Sequence, residues 1–335
     1  MGRDSYLALF YYASGGSFTF GSRRFSHFMG CIFRMEETGI EIDRDLCNGC
    51  GLCVTVCPTG TLSIVERKAT ASGGESISCG HCEAVCPQNA IRVKAIDAKM
   101  SDYRTFTSGK QWLPPGKYDT SLLVQLMSSR RSCRNFIDTP VDRALLEDLV
   151  KIGITAPSGT NSQSWTFTIL PTRKAVVSYA GHVASYFRRL NKAAENTLLR
   201  SLLKLIGKGE LDAYYRRYYR LVKEALEEWN SSGKDRLFHG STAVILIGSG
   251  PGASCPAEDA LLATQNILLA AHSMGLGSCL IGFAVSAMRR DSSIQRAVGI
   301  PPEEEIHAVI ALGYTDEAYA RVTGRKKVTP RYFEG

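Results

Sequence analysis

Two stretches of the chain carry the same arrangement of cysteines, residues 50–58 (CGLCVTVCP) and residues 79–87 (CGHCEAVCP). They share the frame Cys-Gly-x-Cys-x-x-Val-Cys-Pro at an offset of 29 residues, and Cys47 extends the first copy to C-x2-C-x2-C-x3-C-P. A short β-like run follows each copy, at Thr61–Val65 and at Ile91–Val93. This internal repeat predicts a small duplicated domain built around its thiols.

The cysteine distribution also indicates the redox compartment. Of the 11 cysteines in 335 residues, seven fall between Cys47 and Cys86. An odd number of cysteines concentrated in one segment of a long chain is not typical of a secreted disulfide framework. The pattern predicts a metal-binding segment in a reducing compartment, and therefore a cytoplasmic protein.

Length and composition exclude several classes of protein. The chain is 44% hydrophobic and 21% charged, which is ordinary for globular proteins and excludes a disordered or fibrous chain. At roughly 150 residues per domain, its length predicts two domains with room for an extension. The net charge of +8 is spread along the chain, which disfavours a nucleic-acid-binding platform. No apolar stretch approaches the roughly 18 residues of a membrane span.

The spacing of the first cysteine run predicts iron–sulfur clusters. Three cysteines at spacings of three residues, on a loop made flexible by Gly49 and Gly51, can bind one [4Fe–4S] cluster. The fourth cysteine, before Pro58, is then directed toward a second cluster. Each copy then lends its last cysteine to the cluster of the other copy. The predicted ligands of cluster one are Cys47, Cys50, Cys53 and Cys86, and those of cluster two are Cys57, Cys79 and Cys82.

The fourth ligand of cluster two is the one irregularity of the repeat. The offset places it at position 76, which is Ser76. Three readings stay open: a [4Fe–4S] cluster bound by the Ser76 oxygen, a [4Fe–4S] cluster bound by solvent, and a [3Fe–4S] cluster.

The whole segment resembles bacterial-type ferredoxins with two [4Fe–4S] clusters. A zinc site is the alternative, because paired C-x2-C motifs often bind zinc. Four cysteines within 11 residues, and the Cys-Pro end of each copy, favour iron over zinc.

Composition divides the chain into four predicted regions. Residues 1–38 are predicted to be a poorly ordered N-terminal extension, and residues 39–97 the ferredoxin-type domain. Residues 98–120 are rich in Ser, Thr, Gly and Pro and are predicted to be a linker. Residues 121–335 alternate between helical and strand patterns. Within them, residues 182–238 form a basic helical insert with 12 Lys and Arg against 7 Asp and Glu, expected to be a lid or part of a dimer surface.

Several elements of this last region can be predicted individually. A helix is expected at Asp142–Ile154 with Asp142 as its N-cap, and a long apolar helix at Glu258–Met274. Strands are expected at Trp165–Leu170 and Ala243–Ile247. Residues 248–253 (GSGPGA) fit a dinucleotide-binding fingerprint formally, but prolines delay the helix that should begin there, so a plain loop is predicted.

Three separate motifs then point to one cofactor. Residues 130–134 (RRSCR) offer three guanidiniums and a hydroxyl, a set that suits a phosphate monoester. Alone this signal is weak, because a basic run at a helix end is usually a solvated surface. Residues 156–165 (APSGTNSQSW) and 275–282 (GLGSCLIG) follow in order, each near the end of a predicted helix.

Together the three motifs resemble the FMN-dependent nitroreductase family, from Ser121 to the C-terminus. The resemblance implies an α+β fold, with a mostly antiparallel sheet flanked by helices, and a homodimer with segments exchanged between subunits. It implies FMN phosphate and ribityl contacts from Arg130, Arg131, Ser132 and Arg134, and a basic pair closing on the phosphate at Arg325 and Lys327. It also implies isoalloxazine and ribityl contacts from Pro157, Ser158, Asn161 and Gln163 of the partner subunit, and backbone contacts to the ring from Leu280, Ile281 and Gly282.

The combination of clusters and flavin predicts an oxidoreductase. An external donor, a ferredoxin-like protein or NAD(P)H, would load electrons that pass through the clusters to FMN and then to a small organic acceptor. A nitroaromatic, a quinone or an activated alkene would fit, and no catalytic side chain is predicted. The alternatives are an electron-transfer module that docks to a larger redox partner, and a redox or iron sensor.

Overall fold

The computed structural model of the protein describes residues 39–335. The N-terminal extension predicted for residues 1–38 lies outside this range. No helix within residues 39–335 combines the length and the apolar character needed to cross a membrane.

The cysteine-rich segment forms two antiparallel strand pairs and two short helices. Strand β1 pairs with β4, and β2 pairs with β3. The bounds, in chain order, are β1 Ile40–Ile42, α1 Leu52–Thr55, β2 Leu62–Val65, β3 Lys68–Ala71, α2 His81–Val85 and β4 Ile91–Val93.

The sequence repeat is also a structural repeat. Helix α1 begins after Gly51 at φ +80°, and α2 begins after Gly80 at φ +75°. Both glycines take the left-handed conformation that side chains with a Cβ rarely adopt, so each copy turns into its helix in the same way. Cysteines 47, 53 and 82 are buried in the core of this segment together with Leu62 and Ile91.

The second half of the chain is built on a four-stranded antiparallel sheet in the order β5-β6-β8-β7. The strands are β5 Trp165–Leu170, β6 Ala243–Ser249, β7 Gly277–Leu280 and β8 Glu305–Gly313. Every residue of β6 is buried, because helices cover both faces of the sheet. The α+β architecture predicted from the sequence is confirmed for this part of the chain, whereas the exchange of segments in a dimer stays a prediction.

Helices account for most of the remaining chain, and a π-helical turn at Tyr215–Tyr219 joins α7 to α8. The helices are α3 Thr120–Ser129, α4 Arg143–Gly153, α5 Arg173–Glu195, α6 Thr197–Leu205, α7 Glu210–Tyr214, α8 Arg220–Ser232, α9 Pro256–Ser273, α10 Gly282–Met288 and α11 Ser292–Ala297. Asp142 caps α4 as predicted, since its side chain accepts from the Ala144 N–H at 2.7 Å.

The boundary predicted for the helical insert does not coincide with the end of an element. Residue 182 lies in the middle of α5, whose Tyr179, Val183 and Phe187 are buried in the core on one face of the sheet. The further helices of the insert begin after Glu195, and Val222 of α8 belongs to the same core.

Residues 98–120, predicted to be a linker, are anchored to α4 by one buried carboxylate. Asp148 is fully buried and accepts from the backbone N–H groups of Arg104 and Thr105 and from the Thr105 hydroxyl, at 2.7–3.0 Å. Lys151 of the same helix donates to the Asp102 carbonyl. These contacts tie the cysteine-rich segment to the sheet domain.

Candidate functional site

The four cysteines predicted for cluster one line a single cavity. Cys47, Cys50, Cys53 and Cys86 surround it, although Cys86 comes from the second copy of the repeat. Ile64 and Ile91 close it on the apolar side. Four thiols converging on a small, largely apolar space fit a [4Fe–4S] cluster.

A second cavity brings together the residues predicted for cluster two. Cys57, Cys79 and Cys82 line it, and Ser76 stands at the same cavity in the place of a fourth thiol. The Ser76 hydroxyl accepts from the Ser78 N–H at 3.1 Å, so its oxygen is held at the end of the loop that leads to Cys79. Three thiols and one hydroxyl are compatible with each of the three interpretations of cluster two that the sequence left open.

The surroundings of the thiols favour the thiolate form at some positions. The Ala69 N–H donates to Cys47 Sγ at 3.4 Å and lowers the pKa of that thiol. Burial raises the pKa of Cys57, but hydrogen bonds from Thr59 and Thr61 outweigh it and lower the pKa to about 7. Burial raises the pKa of Cys53 and of Cys82. Thiolates are the form that binds iron, and N–H donors to sulfur tune a bound cluster.

A site for a single metal ion needs its ligands closer together than an iron–sulfur cluster does. Among residues 39–335, no three His, Cys, Asp or Glu side chains lie close enough together to hold one ion. In a cubane each cysteine binds a different iron atom, so its sulfurs stand further apart than the ligands of one zinc ion.

The basic run at 130–134 lies along an edge of the sheet. Ser132 forms a parallel bridge with Ser278 of β7, and the Cys133 N–H donates to the Ser278 carbonyl at 3.0 Å. A Cβ at Gly277 would lie 2.9 Å from Cys133 Cβ, so only glycine permits this close approach. The basic run is thereby placed beside β7, within the third motif at residues 275–282.

A cavity of about 560 Å³ opens where these two motifs meet. Arg134, Leu280, Ile281 and Gly282 of the predicted FMN site line it. The cavity also contains four residues that the sequence did not single out, which come from α5, from α8 and from the segment before β6: Phe187, Trp229, Arg236 and His239. Its mixture of apolar walls and a free guanidinium edge fits the flat ring and anionic tail of a flavin nucleotide.

His239 is the titratable group that the sequence analysis missed in this cavity. Its backbone takes a left-handed conformation with φ +57°. Burial lowers the pKa of His239, and the nearby Arg134 guanidinium lowers it further, while Asp235 opposes both. A neutral imidazole at neutral pH is the consequence.

The other residues predicted to hold the phosphate end of FMN do not line the cavity: Arg130, Arg131, Ser132, Arg325 and Lys327. The Arg131 guanidinium donates to the Thr323 hydroxyl at 3.0 Å, so the C-terminal tail passes close to the basic run. Two residues further along, the Arg325 guanidinium donates to the neighbouring Thr323 and Gly324 carbonyls, and Lys327 is exposed.

The loop predicted to contact the flavin lies elsewhere. Residues 157–163 do not line the 560 Å³ cavity of their own chain. Buried Asp259 holds the loop by accepting from the Gly159 N–H at 2.9 Å, and the Trp165 indole donates to the Asp259 carbonyl at 3.1 Å. Thr160, Asn161 and Gln163 all have φ between +47° and +57°. Such conformations of non-glycine residues are strained and cluster at functional sites.

The same loop touches the second cysteine cavity. The Asn161 side-chain amide donates to the carbonyl of Ile77 at 2.9 Å and to that of Ser78 at 3.2 Å. Ile77 lines the cavity of Cys57, Cys79 and Cys82. One loop thus connects the motif shared with flavin proteins to the cysteine repeat.

Comparison with known proteins identifies two families along the chain. Residues 127–314, more than half of the chain, match the nitroreductase family, and residues 40–63 match the 4Fe-4S binding domain. The chain is 25% identical over 214 residues to an iodotyrosine deiodinase of Thermotoga neapolitana, covering 63% of this chain and 97% of that protein. It is 27% identical over 203 residues to a 4-nitrobenzoate reductase of Pseudomonas putida, covering 57% and 85%.

Among solved structures, the chain is similar to a nitroreductase of Bacteroides fragilis determined with bound FMN, at 19% identity and a TM-score of 0.43 over 62% of this chain and 94% of that one. The two family matches define an FMN-dependent oxidoreductase with a 4Fe-4S domain on the N-terminal side of residues 127–314. The chain belongs to the nitroreductase family.

Proposed function

We propose that this protein is an FMN-dependent oxidoreductase in which two iron–sulfur clusters relay electrons to FMN for the reduction of a small organic acceptor. A nitroaromatic, a quinone or an activated alkene is the proposed acceptor. A ferredoxin-like protein or NAD(P)H is the proposed donor. The hydrogen bonds from Asn161 to the Ile77 and Ser78 carbonyls carry the proposal, because they join the loop proposed to contact flavin to the loop proposed to bind cluster two.

The cysteines that line each of the two cavities would bind one cluster. Cys47, Cys50, Cys53 and Cys86 would bind a [4Fe–4S] cluster. Cys57, Cys79 and Cys82, with Ser76 beside them, would bind a second cluster of the [4Fe–4S] or [3Fe–4S] type. Since Asn161 touches the loop of the second set, cluster two would be the one next to the flavin and cluster one the entry point.

Guanidiniums and backbone groups would hold FMN, which when bound can exchange one electron or two. Arg134 at the cavity, with Arg130, Arg131 and Ser132 before it, would bind the phosphate and ribityl end. Leu280, Ile281 and Gly282 would contact the ring through their backbone. Arginines and N–H groups fixed in place stabilise negative charge on a bound group without reorganising.

A homodimer completes the proposed site. Pro157, Ser158, Asn161 and Gln163 do not reach the cavity of their own chain, which supports their reaching the flavin of a partner. Helices α3 and α9 contact each other and expose apolar side chains, among them Leu122, Val124 and Leu261, each half exposed or more. An apolar surface of this kind marks a protein interface.

The proposal is tested on protein purified without oxygen. Iron, sulfide and flavin are quantified, and the reduced protein is examined by EPR. We expect one FMN and about eight irons per chain, or about seven if cluster two is a three-iron centre. Zinc in place of iron would refute the cluster assignment.

Turnover then separates the relay enzyme from the alternatives. The protein is reduced with dithionite or reduced ferredoxin and mixed with nitrofurazone or menadione. Steady-state reduction of an acceptor supports the proposal. Rapid flavin reduction without turnover on any acceptor would instead indicate an electron-transfer module for a larger partner.

A further inference from the structure

A larger cavity, of about 970 Å³, opens beside the one that we assign to the flavin. The two cavities share four lining residues, Phe187, Leu280, Gly282 and Phe283. The other residues that line the larger cavity come from α5, from residues 203–218, and from α10 with the turn after it. The larger cavity therefore adjoins the third motif of the sequence, and it has no role in the function proposed so far.

Aromatic side chains form one wall of this cavity. The Phe283 ring lies edge-on to the rings of Phe187 and Tyr218, with centroids 5.7 Å apart in each pair. Phe187 also stacks on Tyr214 at 6.5 Å, and the Tyr214 hydroxyl donates to Asn191 Oδ1 at 2.6 Å. Rings that pack on one another in this way present an apolar surface that fits a planar aromatic ligand.

The π-helical turn at Tyr215–Tyr219 supplies two of the lining residues. Arg217 and Tyr218 belong to this turn, and both line the cavity. Single π-helical turns are rare and are frequent at functional sites. The turn brings a guanidinium and an aromatic ring to the same cavity.

The charged residues that line the cavity do not balance one another. They are Lys208, Glu210, Arg217 and Arg290. Glu210 pairs with Arg290 at 3.0 Å. Lys208 and Arg217 pair with no carboxylate within residues 39–335. Two such cations beside an aromatic wall attract an anionic ligand.

The end of α6 fixes the position of Lys208. Gly207 follows the helix at φ +77°, and its N–H donates to the Lys204 carbonyl at 3.1 Å. The Lys208 N–H donates to the Leu203 carbonyl at 2.8 Å. These two bonds form a Schellman motif, which favours glycine at the left-handed position. The motif holds the backbone of Lys208 beside the cavity that Leu203 also lines.

We propose that the 970 Å³ cavity binds the acceptor, and that the acceptor is an aromatic compound carrying a carboxylate or sulfonate group. The ring packs against Phe283 and Tyr218, and the anionic group binds Lys208 and Arg217. The role of the cavity as an acceptor site rests on the proposed function, whereas its preference for an anionic aromatic ligand does not. For a sulfonated quinone, two electrons from the donor and two protons give the hydroquinone, and the sulfonate is unchanged.

Binding is measured by titration calorimetry on intact protein purified without oxygen. The probes are 2-naphthoate and 2-naphthamide, which share a ring system and differ in charge. We expect 2-naphthoate to bind about tenfold more tightly than the amide, and Lys208→Gln/Arg217→Gln to remove this preference. Tyr218→Ala should weaken both probes and keep the preference, because both contact the aromatic wall.

The matched control is Lys204→Gln/Arg220→Gln. It removes the same two charges from exposed positions that do not line the cavity, so it should keep the wild-type preference. Three results would overturn the assignment: equal affinity of the wild type for both probes, an unchanged preference in Lys208→Gln/Arg217→Gln, or an equal loss of preference in the control.

Turnover tests the acceptor role separately. Reduced ferredoxin is the donor, the rate without enzyme is subtracted, and the acceptors are 1,4-naphthoquinone-2-sulfonate and menadione. In Lys208→Gln/Arg217→Gln the KM for the sulfonate should rise about tenfold more than the KM for menadione. A parallel change for both acceptors would refute the acceptor role. A preference for 2-naphthoate without turnover on either quinone would support the anion site and refute the proposed function.

Discussion

Asp148 accepts from both the backbone N–H and the hydroxyl of Thr105 at 2.7 Å. The carboxylate is fully buried at this junction, and the backbone N–H of Arg104 adds a further donor. Burial alone would raise the pKa of Asp148, but the hydrogen bonds from Thr105 and Arg104 outweigh it, so the pKa is lowered. The junction between the cysteine-rich segment and the sheet domain therefore depends on an ionised group.

Asp148→Asn should loosen this junction near neutral pH. The amide can accept fewer of the donors, and hydrogen bonds to a charged group contribute about 2 kcal/mol. Hydrogen exchange of the peptide that contains residues 102–106 should therefore become faster. The matched control is Glu147→Gln on the same helix, whose ion pair with Arg104 is exposed and should matter little.

The effect of Asp148→Asn should also depend on pH. The pKa of Asp148 is lower in the folded than in the unfolded protein, so its stabilising contribution is complete above the unfolded value and is lost as the pH falls through the folded value. The difference between wild type and variant should be full at neutral pH and should shrink below about pH 4. A difference that grows as the pH falls would contradict this account.

Asn161→Ala should slow electron transfer between the two halves of the protein. The substitution leaves the Ile77 and Ser78 carbonyls without their donor, so the contact between the two loops loosens. We expect unchanged iron content and a slower flavin reduction phase after rapid mixing with reductant. Thr160→Ala is the control, because the Thr160 hydroxyl contacts Ser254 and not the cluster loop. Equal rates in wild type and Asn161→Ala would remove the main support for the relay.

Local patterns in the sequence predicted the elements well. The strand at Trp165–Leu170 is confirmed at both ends. The long helix begins at Pro256, two residues before the predicted start, because proline is compatible with the first turn of a helix. The cysteine sets that line each cavity follow from the repeat, since spacing alone fixes which thiols can converge.

Contacts between distant segments could not be predicted in the same way. Helix α5 continues past residue 182 without a break, so the boundary predicted there does not separate Phe187 from the core, and which residues of the insert join that core depends on tertiary packing. His239 lies at the cavity of Arg134 because the distant basic run packs against the segment before β6, where the Phe136 N–H donates to the His239 carbonyl at 3.4 Å. The bond from Asn161 to Ile77 depends on how two domains dock, and no local pattern encodes that docking.

Ser76→Cys should make cluster two more stable. A thiol would replace the hydroxyl at the cavity of Cys57, Cys79 and Cys82 and restore the ligand pattern of the first copy. Soft thiolate binds iron more strongly than a hydroxyl oxygen. We expect slower loss of iron to a chelator, and loss of any three-iron EPR signal.

The control for Ser76→Cys is Ser72→Cys. Ser72 is exposed and lies outside that cavity, so a thiol there should change neither the iron content nor the EPR spectrum. If both variants behave like the wild type, position 76 is not a ligand position.

Arg134→Ala should weaken FMN binding while sparing the clusters. The guanidinium lines the 560 Å³ cavity, and a charge-assisted hydrogen bond to phosphate contributes about 1.5–3 kcal/mol, which corresponds to a loss of affinity of about 10- to 100-fold. Fluorescence titration of flavin-free protein with FMN measures this loss. Arg143→Ala, an exposed arginine at the start of α4, controls for the change in net charge. If Arg134→Ala has unaltered FMN affinity and normal iron content, the FMN phosphate does not bind at this cavity.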